Sequence, residues 1–393
     1  MILALLLAAT GLNIIEIPNA NAPFVTVQAS IQTGSLQAKD RALAQLVDDT
    51  ILDATADYNH YKLGQFSTLA GESMRCSMSP DHFRIQLEVP KDQLQLGGDI
   101  MNDVLRHARF DLDTLTTELD HVTSRQRDYW SETIQPWNLS FTRISQKDVI
   151  DFYGRVFRPE NVTIAISGPF AVGEGEAALN HYMADWTLPK PKLYRDYSDV
   201  PKTLAQHSFP ITTLDIHGSQ YTAGDDMFPQ QLLAATALGV GKWSSMHRIL
   251  REKLAMSYRQ EAVVLPTPLG FETHLVVVLD PLSSTSSEPI KKALLDDVAT
   301  WDDSIRDRAI GMAQSYLLQE APVNPLYFDG TRPITGSLED QTFLQAYWQQ
   351  KANTTWNAMR LLIMMKKVSL ADLKKTASDL LTGSQTVTIP AKQ

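Results

Sequence analysis

The sequence predicts an α+β protein of two homologous halves. Each half is a mainly antiparallel sheet with helices on one face, and the two face each other around a cavity. Three observations predict this. The first is length: 393 residues exceed what one hydrophobic core usually serves, which argues for two domains. The second is a plan of strands and helices that runs twice along the chain. The third is a stretch between the copies, WTLPKPKLYRDYSDVP, whose Pro189, Pro191 and Pro201 and charges read as a linker. The expected domains are therefore 1–187 and 202–393, joined by 188–201.

The elements follow in order. VQASIQTGS (27–35) and TTLDIHGSQ (212–220) are strands that end in Gly-Ser, at Gly34-Ser35 and Gly218-Ser219. Each is followed by a polar loop and a helix, expected over 41–55 and 228–238. In the first of these helices Leu43, Leu46, Val47 and Leu52 recur at helical spacing, yet Asp48 and Asp49 stand in the middle, with Gln45 one turn before Asp49. Next, HFRIQLEVP alternates Phe83, Ile85, Leu87 and Val89, the period of a half-buried strand, and ETHLVVVLDP alternates Thr273, Leu275, Val277 and Leu279. Helices are expected over 96–108 and 288–301. Each half then closes alike. Ser145 with Asp148, and Ser369 with Asp372, open an amphipathic helix in the manner of a capping box. A turn leads to Val-Thr-Ile, at Val162 to Ile164 and Val387 to Ile389. A second loop, 319–336, interrupts the helices of the second half.

Composition narrows the function classes. Hydrophobic residues make up 44% and charged residues 20%, ordinary for a globular protein. The net charge of -10 leaves no basic footprint for nucleic acid. The single cysteine, Cys76, excludes an internal disulfide and reads as a small hydrophobe, not a nucleophile. Residues 1–9 are apolar with small residues after them. They read either as the end of an export signal, which would place the protein in the bacterial periplasm or beyond, or as a first buried strand of a cytoplasmic protein. No stretch reads as a transmembrane helix.

VFRPENVTIAISGPF (156–170) and ALGVGKWSSMHRILREKLAMSYRQEA (237–262) carry a resemblance. With the order of strands and the Gly-Ser-then-helix pattern, the chain resembles the pitrilysin/insulinase family of zinc metallopeptidases, which includes the mitochondrial processing peptidase. The second segment is similar to the family's Leu-Gly-Gly…Ser-Arg-Leu…Leu-Arg-Glu…Tyr segment at Leu238, Gly239, Ser244, Met246, Leu250, Arg251, Glu252 and Tyr258. The resemblance implies that active members carry His-x-x-Glu-His on the first helix of the first half, with two imidazoles on zinc and the glutamate polarising a water. The matching positions here are Gln45, Asp48 and Asp49, so the expected metal site is a degenerate one. The helix that should add a third ligand places Arg125, Gln126 or Arg127 there. A guanidinium of Arg125 or Arg127 is expected to fill the metal position against Asp48 and Asp49.

The resemblance further implies that Arg251 and Tyr258 bind substrate. The arginine would hold a peptide carbonyl, and the tyrosine would donate to the developing oxyanion. The expected function is a non-catalytic, substrate-binding subunit of a heteromeric zinc endopeptidase. This chain would bind no metal. Zinc would sit in a homologous partner carrying His-x-x-Glu-His, and peptide would be the substrate. The alternative is an inert scaffold or peptide-binding protein of the same fold, as the core subunits of ubiquinol–cytochrome c reductase are in this family. An independently active peptidase is a third reading.

Other residues read as structural. His107 and His121 suit surfaces or helix ends, and His247, beside Arg248, suits a surface. Gly239 and Gly241 follow a helix instead of a strand and lack phosphate-loop spacing. Ser244 and Ser245 lie in no Gly-x-Ser-x-Gly turn. Tyr347 and Trp348 read as core.

Overall fold

Strand pairing shows the duplication directly. The computed structural model describes residues 12–34, 41–69, 74–79, 81–124, 144–186, 211–219, 221, 227–267, 270–280, 286–318, 337–352 and 358–391. The first sheet contains β1 (Asn13–Pro18), β2 (Phe24–Ile31), β3 (Met74–Met78), β4 (Phe83–Pro90) and β5 (Val162–Gly168) in the order β1-β5-β2-β4-β3. The second contains β6 (Thr213–His217), β7 (Ser257–Thr267), β8 (Gly270–Leu279) and β9 (Gln385–Ile389) in the order β7-β8-β6-β9. Read from the closing strand, β5-β2-β4-β3 and β9-β6-β8-β7 are the same order. Only β1 is extra, and its pairing with β5 is the one parallel ladder among the described strands.

The helices of the first half are α1 (Arg41–Thr50), α2 (His60–Leu69), α3 (Leu94–His107), α4 (Leu112–Ser124), α5 (Gln146–Val156) and α6 (Glu174–Met183). Those of the second are α7 (Met227–Gly239), α8 (Glu288–Thr300), α9 (Asp303–Leu318), α10 (Leu338–Ala352), α11 (Ala358–Met365) and α12 (Leu370–Thr382). Among the described residues no helix is long and apolar enough to cross a membrane. The expected cap forms in full at Ser145: its hydroxyl accepts from the Asp148 N–H while the Asp148 carboxylate accepts from the Ser145 N–H. At Ser369 the hydroxyl accepts from the Asp372 N–H.

The strand-ending glycines are places of close approach. A Cβ on Gly34 would lie 2.2 Å from the carbonyl oxygen of Ser79, against the β3–β4 turn. One on Gly218 would lie 2.4 Å from Leu380 Cδ1. Gly34 meets backbone, so it has no room to give.

The chain divides into two compact units, and the division does not follow the linear order. The first holds β1 to β5, α1 to α6 and also α10, while the other described elements form the second. The expected boundary assigned 202–393 to one domain, but α10 packs with the first. On β2 the residues Val25, Val27, Ala29 and Ile31 face the hydrophobic core of the first unit. The alternate residues Thr26, Gln28 and Ser30 point to the other face, and α10 covers them: Ser30 donates to Gln350 Oε1 at 2.8 Å. Arg84, 1% exposed, pairs with the equally buried Asp340 at 2.6 Å and donates to Gln28 at 3.0 Å. Asp81 accepts from Tyr347 at 3.0 Å and pairs with Lys351. The strand read as half-buried is therefore buried on both faces. Its second face is polar because it is held by hydrogen bonds, not because it meets water. The expected linker 188–201, the loop 319–336 and residues 1–9 lie outside the described residues.

Candidate functional site

In the first unit the polar face of α1 meets the edge strand β3. Gln45 and Asp49 sit one turn apart, and the Gln45 amide donates to Asp49 Oδ2 at 3.1 Å. Asp48 lies beside the Cys76 thiol of β3. Burial, with Asp48 and Asp49 adding to it, pushes that thiol well above its ordinary range, so Cys76 is a thiol here, not a thiolate nucleophile. Past the helix end, burial raises the Asp53 carboxyl. His60, 3.7 Å away, pulls it back, while Glu118 on α4 and Asp49 push it further.

These donors do not fit zinc. The metal favours imidazole and thiolate, whereas this face offers a neutral amide committed to Asp49 and carboxylates beside a protonated thiol. Among the described residues, no three metal-ligating side chains converge there. Arg125, Gln126 and Arg127 lie outside the described residues. Glu118 is the acidic group of α4 that faces the cluster, and the sequence reading missed it. Its place in the sequence, seven residues before Arg125, was the available signal.

In the second unit, Arg251 and Tyr258 come together. Arg251 lies in the last turn of a π-helical segment, His247–Lys253, and Tyr258 is the second residue of β7. Between them the chain reverses at Ala255, whose φ of 49° is the one positive value at a non-glycine among the described residues. The reversal lays the guanidinium over the ring, 4.1 Å from its centroid. The Tyr258 side chain remains 78% exposed.

Both line a cleft of about 230 Å³ with Gly239, Lys242, His247 and Gln260. His247 is only 12% exposed, and burial lowers its basicity. Its expected surface role is thus corrected: it is a cleft residue, one helical turn before Arg251. Burial also raises Glu261 on the strand behind. The glycines of this segment are structural. A Cβ on Gly239 would lie 2.4 Å from the Ala262 nitrogen, so the end of α7 presses directly on β7, and Gly241 turns with φ of 80°. Ser245 donates to Asp297, which also pairs with Arg248 at 2.8 Å. Both serines of the segment are buried, which removes them as nucleophiles. Tyr347 and Trp348 are core, as expected.

Comparison with known proteins bears on the family and the fold. A family model described as insulinase (peptidase family M16) matches residues 14–146, and one described as peptidase M16 inactive domain matches 143–258. No curated protein matches the chain. Among solved structures, a protease from Helicobacter pylori is 13% identical, with 97% of each chain covered and a TM-score of 0.75. A peptidase M16 inactive domain from Pseudomonas fluorescens is 12% identical, with 98% of this chain and 96% of that one covered and a TM-score of 0.73. The periplasmic protease PqqL from Escherichia coli is 14% identical at a TM-score of 0.67, and this chain, 97% covered, spans 47% of it. With the duplicated sheets and both M16 matches together, the chain belongs to the pitrilysin/insulinase family of peptidases.

Proposed function

We propose that this chain is the non-catalytic, substrate-binding member of a two-chain zinc endopeptidase. The observation that carries the reading is the Arg251–Tyr258 pair at an open cleft, in a chain whose matching zinc positions are Gln45, Asp48 and Asp49. An extended peptide would be held by backbone hydrogen bonds to a free sheet edge; β7, where Tyr258 begins, is an edge strand of its sheet. Arg251 binds a substrate carbonyl. The Tyr258 hydroxyl, exposed and unencumbered by burial, donates to the oxyanion that forms on the scissile carbon. The partner's His-x-x-Glu-His supplies zinc and its water. A second reading, an inert scaffold or peptide-binding protein, is favoured by the same stacking, because Arg251 on Tyr258 is a contact complete without substrate.

The test is purification of this chain from its native cells with identification of what accompanies it, followed by kinetics of the reconstituted pair. A similar-sized chain with His-x-x-Glu-His is expected. Tyr258→Phe is expected to lower kcat about 10²-fold, the usual cost of one oxyanion donor, and Arg251→Ala, which removes a substrate-binding contact, to raise KM and so lower kcat/KM. A pair whose kcat/KM is indifferent to both substitutions would establish the scaffold reading.

A further inference from the structure

A second polar constellation, sharing no residue with either site, lies on the second sheet. On β6, Leu214 and Ile216 are fully buried, and the alternation of the strand turns Asp215 and His217 to the opposite face. His274 of β8 stands directly across from His217 in the ladder. Three side chains thus meet at one point. His274 Nδ1 is 3.0 Å from each Asp215 oxygen, His217 Nδ1 is 3.5 Å from Asp215 Oδ2, and one ligand atom from each residue lies within 4.8 Å of the others. Among the described residues this is the only such group of three.

We propose that Asp215, His217 and His274 bind a divalent transition-metal ion, Zn²⁺ being the best match to two imidazoles and a carboxylate. Two observations beyond proximity support it. The first is an imbalance. One carboxylate faces two imidazoles, and His217 Nδ1 is left buried without a hydrogen bond. An ion at the centre would give all three donors a partner at once. The second is the far side of His274. Its Nε2 lies 3.5 Å from Glu272 Oε2, so a ring that ligates through Nδ1 would donate its other N–H to a carboxylate, the arrangement that orients metal-binding histidines. Three protein ligands leave a fourth position for water. The His217 side chain, 21% exposed, gives access. Such an ion would clamp β6 to β8. It has no connection with the zinc assigned to the partner, because its ligands come from the second sheet and not from α1.

The test uses the full chain, freed of metal with a chelator and titrated with Co²⁺ alone. One equivalent should bind with the visible absorption of a four- or five-coordinate ion, and Zn²⁺ should displace it and raise Tm. His217→Ala should abolish both effects while the metal-free circular dichroism stays unchanged. Glu272→Gln should weaken binding about 10–100-fold. The Asp48→Asn/Asp49→Asn double variant should bind as the wild type does. No bound equivalent, or one held equally by His217→Ala, overturns the proposal. Loss of the ion in the Asp48/Asp49 variant also overturns it, since that result would move the site to α1.

Discussion

The helix that follows the Gly-ended strand occupies the same place in each half, yet α1 and α7 are different objects. In α1, Ala42, Ala44, Leu46 and Val47 are buried, while Gln45, Asp48 and Asp49 form a partly open polar face. In α7, every residue from Leu232 to Gly239 is buried, because α9, α11 and α12 pack around it and β7 lies against it. A helix enclosed on all sides is structural by necessity, whereas a helix with one polar face keeps the option of chemistry. The duplication thus produced one helix able to carry a site and one that only supports a fold. In the second half Arg251 and Tyr258 lie beyond α7, in the π-helical segment and at the start of β7.

That comparison can be broken most severely on α7. Ala235→Asp would bury a charge among apolar neighbours and should cost on the order of 5 kcal/mol, read as loss of the unfolding transition in urea. Asp49→Ala on α1 should cost less than about 1 kcal/mol. Equal costs would show that α1 is as enclosed as α7. Next in size is Arg84→Ala, which leaves Asp340 charged and buried and should cost about 3–5 kcal/mol by denaturant titration. A loss below about 1 kcal/mol would mean that α10 does not depend on the pair.

A third prediction concerns pH. Burial first, then the neighbouring Glu339 of α10, push Glu88 on β4 from its ordinary 4.5 up to about 7. A folded carboxyl with a raised pKa binds more protons than the unfolded one. Stability therefore falls as pH rises between about 4.5 and 7, and the lost contribution stays lost above that. Glu339→Gln should flatten this slope and stabilise the protein above pH 7 by about 1 kcal/mol. An unchanged slope of urea midpoint against pH would exclude the pair as its source. The smallest expected effect is Ala255→Gly. It removes the Cβ penalty of a left-handed residue at the price of some chain entropy, for a net gain of about 0.5 kcal/mol, seen as a rise in the urea midpoint. A drop would mean that Ala255 contributes contacts that outweigh its backbone strain.

Much of the fold is legible in the sequence because the repeat is punctuated by local chemistry. Gly34 and Gly218, the serine caps at 145 and 369, and the two Val-Thr-Ile strands each record a short-range requirement. The home of α10 is not legible. Arg84 and Gln86 alternate with Phe83, Ile85 and Leu87 just as solvent-facing residues would, and only the distant Asp340 reveals that they are buried. Arg251 and Tyr258 were found through the resemblance, since seven residues of spacing alone do not bring two side chains into stacking; the positive φ at Ala255 does that. The Asp215–His217–His274 group was hidden for a different reason. Register across strands sets it, and the sequence of either strand alone is an ordinary alternation.

The Arg84–Asp340 pair spans 256 residues of chain, and that separation has a consequence for synthesis. Ribosomes add roughly 5–20 residues per second. Strand β4 therefore waits on the order of 10–50 s, at that rate, before the helix that covers its polar face exists. Throughout that interval a sheet carrying Arg84 and an open edge at β3 must stay soluble without its cover. The polar residues on that face suit the nascent chain as well as the finished protein: a sheet that would be sticky if both its faces were apolar can wait in water until α10 arrives.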